Sequence, residues 1–93
     1  MRYGLIFPAS YLKREKAFLK RHPEIQPRYC KTLLLLEANP RHPSLRLHAL
    51  RGQLQSLHSV SISMKYRITL ELEIRERKIV FIDIGSHGRI YRN

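Results

Sequence analysis

The 93-residue sequence predicts an α+β domain, a twisted antiparallel-dominated β-sheet with two N-terminal helices packed on one face. Three observations carry that expectation. Apolar residues recur at helical spacing from Tyr11 to Leu36, with one break at His22-Pro23. Tyr66 to Ile74 alternates strictly between apolar and polar side chains, the period of a strand with one buried face. Ile79 to Ile84 is an almost continuous apolar run ending at Gly85, as expected of a central strand apolar on both faces. Helices followed by a run of strands place both helices over one face of one sheet. A chain of this length holds a single domain, residues 1–93, with little room for a second core.

Arg2 to Phe7 predicts a short first strand, with Tyr3, Leu5 and Phe7 on one face, and Pro8 ends it. Ser10 is placed to cap a helix over Tyr11 to Arg21. Tyr11 and Phe18, like Leu12 and Leu19, stand seven residues apart and form one broad apolar stripe. Lys13, Arg14, Lys16, Lys20 and Arg21 fill most of the remaining surface. The second helix begins between Pro23 and Ile25, with Pro27 accommodated only if it lies in the first turn. Its stripe is Ile25, Tyr29, Leu33 and Leu36, widened by Cys30 and Leu34, and Cys30 is expected to be buried. Asn39-Pro40 stops it. Strands are then expected over Leu45 to Leu50, Leu57 to Ser63, Tyr66 to Ile74 and Ile79 to Ile84.

Eighteen Lys and Arg against seven Asp and Glu give a formal net charge of +11. Residues 1–53 hold eleven bases and three acids, so the excess lies toward the helical half. Such a charge attracts polyanions at long range, with nucleic acid the first partner to consider and an acidic protein the second. The single cysteine cannot form an internal disulfide. Leu33 to Leu36 is the longest apolar run, far short of a bilayer span, and no charged-then-apolar leader precedes the first strand. A cytoplasmic protein without a membrane partner is the expectation.

The face of the sheet away from the helices is expected to collect Arg67, Thr69, Ser59 and Ser61, with His48 from the preceding strand. His87 stands in a glycine-flanked turn after the interior strand, and Tyr91 follows four residues later. Arginine holds phosphates by bidentate contacts, histidine moves protons near neutral pH, and tyrosine stacks on bases. Arginine, histidine, tyrosine and hydroxyls with almost no carboxylate suit phosphodiester chemistry on RNA. No partners are evident for His22, His42 and His58, and the five histidines lack the short spacing of metal ligands.

His42-Pro43-Ser44-Leu45, Leu47-His48-Ala49-Leu50-Arg51-Gly52, Tyr66-Arg67-Ile68, Phe81-Ile82-Asp83-Ile84-Gly85-Ser86-His87 and Tyr91 occur in one order. Together with the helical half, they make the chain resemble the RelE/ParE superfamily of bacterial type II toxins, in particular its YafQ-like messenger-RNA interferases. The resemblance implies the RelE-like fold and a cognate antitoxin that covers the active face. It implies contact with operator DNA only through the antitoxin complex. It also implies ribosome-dependent cleavage of mRNA in the A site, by attack of a ribose 2′-hydroxyl on the adjacent phosphate without metal or cofactor. On that resemblance His48 and His87 match catalytic histidines, Arg67 the arginine of the Tyr-Arg motif, and Tyr91 a terminal aromatic. Ser61 stands where YafQ-like toxins carry a further histidine, and Lys65 where they carry an acid; both are read as RNA contacts. Lys13, Lys16 and Lys20 are read as docking ribosomal RNA. Two other readings remain open: a ParE-like toxin that inhibits DNA gyrase by protein binding, and a basic RNA- or ribosome-binding module without catalysis. The paired histidines favour cleavage.

Overall fold

The chain opens with β1 (Gly4–Ile6) and α1 (Ala9–Arg21), then a 3₁₀ turn at Pro23–Ile25 and α2 (Gln26–Ala38). A second 3₁₀ turn at Pro43–Leu45 leads to β2 (His48–Ala49), β3 (Leu57–Ser61), β4 (Tyr66–Glu73) and β5 (Lys78–Ser86). This architecture comes from a computed structural model that describes residues 2–50 and 57–86. The five strands form one sheet in the order β1-β5-β4-β3-β2. All pairings are antiparallel except β1 with β5. The α+β class and the one-sided placement of the helices are as the sequence predicts.

The helices differ from their expected form at their ends and in their stripes. Pro8, with φ −59° and ψ 154°, is the N-cap of α1, so Ser10 lies inside the first turn rather than capping it. Tyr11 and Phe18 are buried, but Leu12 is 46% exposed. One residue is a rotation of about 100° on a helix, so the stripe that packs on the sheet is narrower than the sequence implies. In α2, Tyr29, Thr32 and Leu36 are buried, whereas Leu34 is 66% exposed and Cys30 is exposed. Cys30 and Leu34 therefore do not widen the core face. Pro27 sits in the first turn, where its missing N–H removes no helix bond. The helices meet through side chains. The Tyr11 and Tyr29 hydroxyls are 2.8 Å apart, and Tyr29 donates to the Glu15 carboxylate.

The predicted strand over Leu45 to Leu50 is largely absent. The Nδ1 of His42 accepts from the Ser44 N–H at 3.2 Å and lies 2.8 Å from the Ser44 hydroxyl, capping the 3₁₀ turn that Pro43 starts. Leu45 is buried beneath that turn, and Arg46 adopts the left-handed region at φ 50°. Only His48 and Ala49 then pair with β3.

The inner face of the sheet carries Val60, Ile68, Leu70, Ile79, Phe81 and Ile84, all buried against the helices. The β4–β5 register shifts between Thr69 and Leu70, where Leu70 pairs with Phe81 but Thr69 with Asp83. That bulge brings both Phe81 and Ile84, three residues apart, into the core. The Asp83 carboxylate pairs with Arg14 of α1 at 3.3 Å. β5 is interior, between β1 and β4, but not central as the sequence implies: β4 holds the middle of the sheet, and Ile82 of β5 is 37% exposed.

Candidate functional site

The antiparallel register fixes which side chains share the open face. Ser61 pairs with Arg67, Ser59 with Thr69, and His48 with Ser59. Directly paired residues point to the same side of a sheet, so His48, Ser59 and Thr69 form one row, with Ser61 and Arg67 in the row two residues on. The sequence expected this face to be solvated. Instead Ser59 and Thr69 are buried, and neither hydroxyl has a hydrogen-bond partner among the described residues. Buried hydroxyls without a partner are uncommon in folded proteins. His48 is exposed, with Nδ1 3.1 Å from the Arg46 carbonyl.

A cleft of about 390 Å³ opens where β3 turns into β4. Arg28, Ser44, Arg46, Ser61, Ser63 and Arg67 supply its polar lining, and Ile62 and Met64 its apolar lining. Among the described residues no carboxylate lines it. Arg28 comes from α2, Arg46 from the loop before β2 and Arg67 from β4. Three guanidinium groups and three hydroxyls converging from separate elements have the chemistry that suits a phosphate-bearing ligand. A smaller adjoining hollow adds Lys31 and shares Arg28, Ser44, Ser61 and Ile62. Met64 is 90% exposed at the rim.

Of the residues singled out in the sequence, Ser61 and Arg67 meet in this cleft, and His48 lies on the same open face. Lys65 occupies the β3–β4 turn, its N–H 3.3 Å from the Ser63 hydroxyl, and its side chain is outside the cleft lining. Lys13, Lys16 and Lys20 are exposed on α1, away from the cleft. His87 and Tyr91 lie outside the described residues; β5 ends at Ser86, immediately before His87. Arg28, Lys31 and Arg46 were not singled out. The i, i+3 spacing of Arg28 and Lys31 put both on one helix face, the one signal present in the sequence. Nothing local pointed to Arg46, because a left-handed arginine is not encoded by any turn motif here.

Two histidines expected to stand alone have partners. His42 caps its 3₁₀ turn, and His22 Nδ1 lies 3.2 Å from the Tyr66 hydroxyl. Among the described residues no group of three His, Cys, Asp or Glu side chains is placed to hold a metal ion. No helix among them is long and apolar enough to cross a membrane.

Several solved structures share this architecture over 90% or more of the chain. A chain of the E. coli DinJ–YafQ toxin–antitoxin complex superposes with a TM-score of 0.78 at 17% identity, covering 98% of this chain and 99% of that one. A histidine-to-glutamine variant of E. coli YafQ gives 0.75 at 17% identity, over 97% of this chain and 99% of that one. A YoeB/ParE toxin from Agrobacterium tumefaciens gives 0.70 at 15% identity, over 90% of this chain and 98% of that one. No protein-family model and no curated protein sequence matches the chain. The fold is therefore the RelE-like one that the sequence motifs imply.

Proposed function

We propose that this protein is the toxin of a type II toxin–antitoxin pair, an endoribonuclease that cuts messenger RNA in the ribosomal A site. The observation that carries the reading is the carboxylate-free cleft of Arg28, Arg46 and Arg67, beside a face that also bears His48. The likeness to YafQ-type structures supports it at the level of fold. The partners are then a cognate antitoxin, the ribosome and mRNA.

In the proposed reaction the ribose 2′-oxygen forms a bond to the adjacent phosphorus and the bond from phosphorus to the 5′-oxygen breaks. One histidine takes the 2′-hydroxyl proton and the other gives a proton to the leaving 5′-oxygen. His48 is assigned the first role or the holding of the 2′-hydroxyl, and His87 the second. Arg67 meets the charge that develops on the non-bridging oxygens, where a fixed donor contributes most. Ser61, its register partner, binds the same phosphate. Tyr91 orients the base or ribose, and Lys65 adds positive charge at the turn.

The test is primer extension on mRNA after induction of wild type and of His87→Ala. Cuts at A-site spacing that vanish in the variant are expected. Unchanged toxicity and cleavage in His87→Ala would overturn the assignment. DNA breaks with intact RNA would point instead to gyrase inhibition, and translation arrest with neither would leave a non-cleaving ribosome binder.

A further inference from the structure

The same end of the sheet carries a second cleft on the opposite, helix-covered face. Tyr66 and Arg67 are consecutive in β4, so their side chains leave the strand on opposite sides. Arg67 enters the cleft described above; Tyr66 enters another, of about 310 Å³, between α1 and the end of β5. Arg14, Arg21, His22, Tyr66 and Ser86 give it its polar lining, over a floor that includes Phe18 and Ile84. Among the described residues no carboxylate lines this cleft either, although the Glu24 carboxylate lies 3.9 Å from His22 Nδ1. Asp83 pairs with Arg14 from outside it, whereas Arg21 forms no ion pair among the described residues. Phe18, His22 and Tyr66 form a mutual ring cluster, with centroids 5.0, 5.1 and 4.7 Å apart. The His22–Tyr66 hydrogen bond holds two of these rings together.

We infer that this second cleft binds the phosphoryl group of a nucleotide, with Arg21 and Arg14 as phosphate donors and the His22–Tyr66 ring pair beside the base. Arg21 has no ion-pair partner among the described residues, and Arg14, which also pairs with Asp83, adds a second guanidinium; both forks fit phosphate oxygens. An aromatic surface next to them fits a planar base, which an acidic side chain would not use. The volume lies at the lower end of what small-molecule sites occupy. None of these residues belongs to the cleavage assignment, so the site stands whether or not the protein cuts RNA. The phosphoryl group comes either from an RNA strand crossing the end of the sheet or from a free nucleotide.

The test is fluorescence anisotropy of the whole protein with a short labelled single-stranded oligoribonucleotide, alongside an NMR titration with adenosine 5′-monophosphate. Arg21 is exposed, so Arg21→Glu should fold, with an unchanged melting transition as the control. The expected result is binding about tenfold weaker in Arg21→Glu, for one or both ligands, and partly restored in Arg21→Lys. Arg75→Glu makes the same charge change in the exposed β4–β5 turn and should weaken binding about twofold or less, as general screening allows. Loss of oligonucleotide binding with an inert monophosphate identifies a strand phosphate. Monophosphate shifts at His22 and Tyr66 that depend on Arg21 identify a free nucleotide. Equal losses in Arg21→Glu and Arg75→Glu would overturn the site. So would Arg21-dependent capture of an acidic peptide in place of both nucleotide ligands.

Discussion

Arg67 and Arg46 share a cleft but are held there by different physics, and single substitutions separate the two. Arg67 projects from the central strand, so its place is set by the ladder on both sides. Arg67→Lys keeps the charge and loses the planar fork. On programmed ribosomes it is expected to slow single-turnover cleavage by about 10²–10³-fold, the effect of removing one aimed donor, with thermal stability unchanged. Arg46 sits at φ 50° and ψ 48°, a conformation that costs a side-chain-bearing residue about 1 kcal/mol. Arg46→Gly should therefore raise stability by about that amount in chemical denaturation while weakening cleavage. A variant that lost stability would show that the Arg46 side chain is held for packing rather than for the ligand. Arg77 has the same backbone at φ 54°, but its guanidinium lies 5.8 Å from the Tyr3 ring, far from the cleft. Arg77→Gly should leave cleavage untouched.

At the scale of elements, the α1–α2 contact rests on a buried hydroxyl chain. Burial, above all, pushes the Tyr11 and Tyr29 hydroxyls well above the usual tyrosine range, and the Glu15 carboxylate adds to the rise for both. Tyr29→Phe strands the Tyr11 hydroxyl and should cost about 1–3 kcal/mol, part of it recovered in the Tyr11→Phe, Tyr29→Phe double variant. The unfolded chain releases these protons near pH 10 while the folded one retains them. This contribution is thus complete below about pH 10 and is lost as pH rises further, a fall that urea melts should record and Tyr29→Phe should lessen. Elements with a strong period were legible in the sequence: β4 from its alternation, both helices from their stripes, the interior β5 from its apolar run. The strand over Leu45 to Leu50 was not. Alternation of Leu45, Leu47 and Ala49 suits a strand, yet Pro43 and the His42 cap commit the backbone to a 3₁₀ turn first. Cys30 and Leu34 were misplaced for a related reason, since the width of a helix stripe depends on what packs against it. The Ser61–Arg67 pair of the candidate site was legible from strand phase. Arg28 and Arg46 reach it through tertiary placement and a left-handed backbone, which no local pattern records.

Across the whole molecule, the proposed function divides the net charge of +11 into two tasks. The clefts at the end of the sheet use Arg28, Arg46 and Arg67, and on the other face Arg14 and Arg21. Lys13, Lys16 and Lys20 lie elsewhere, exposed on α1 and without ion pairs among the described residues. Exposed lysines of this kind stabilise the fold little, and the proposed function assigns them attraction to a polyanion. Each phosphate contact made on docking releases counterions and contributes about 0.7–0.9 to the slope of log affinity against log salt. Replacing all three lysines with glutamine should therefore reduce the salt slope of ribosome binding by about 2, measured by co-sedimentation over a salt series. Cleavage by the bound protein, followed in a single turnover at saturating ribosomes, should keep its wild-type rate. Arg67→Lys should give the reverse, an unchanged slope with a depressed rate. Equal slopes in wild type and the triple-lysine variant would place the docking surface off α1. A slower single turnover in that variant would show that docking and chemistry share residues.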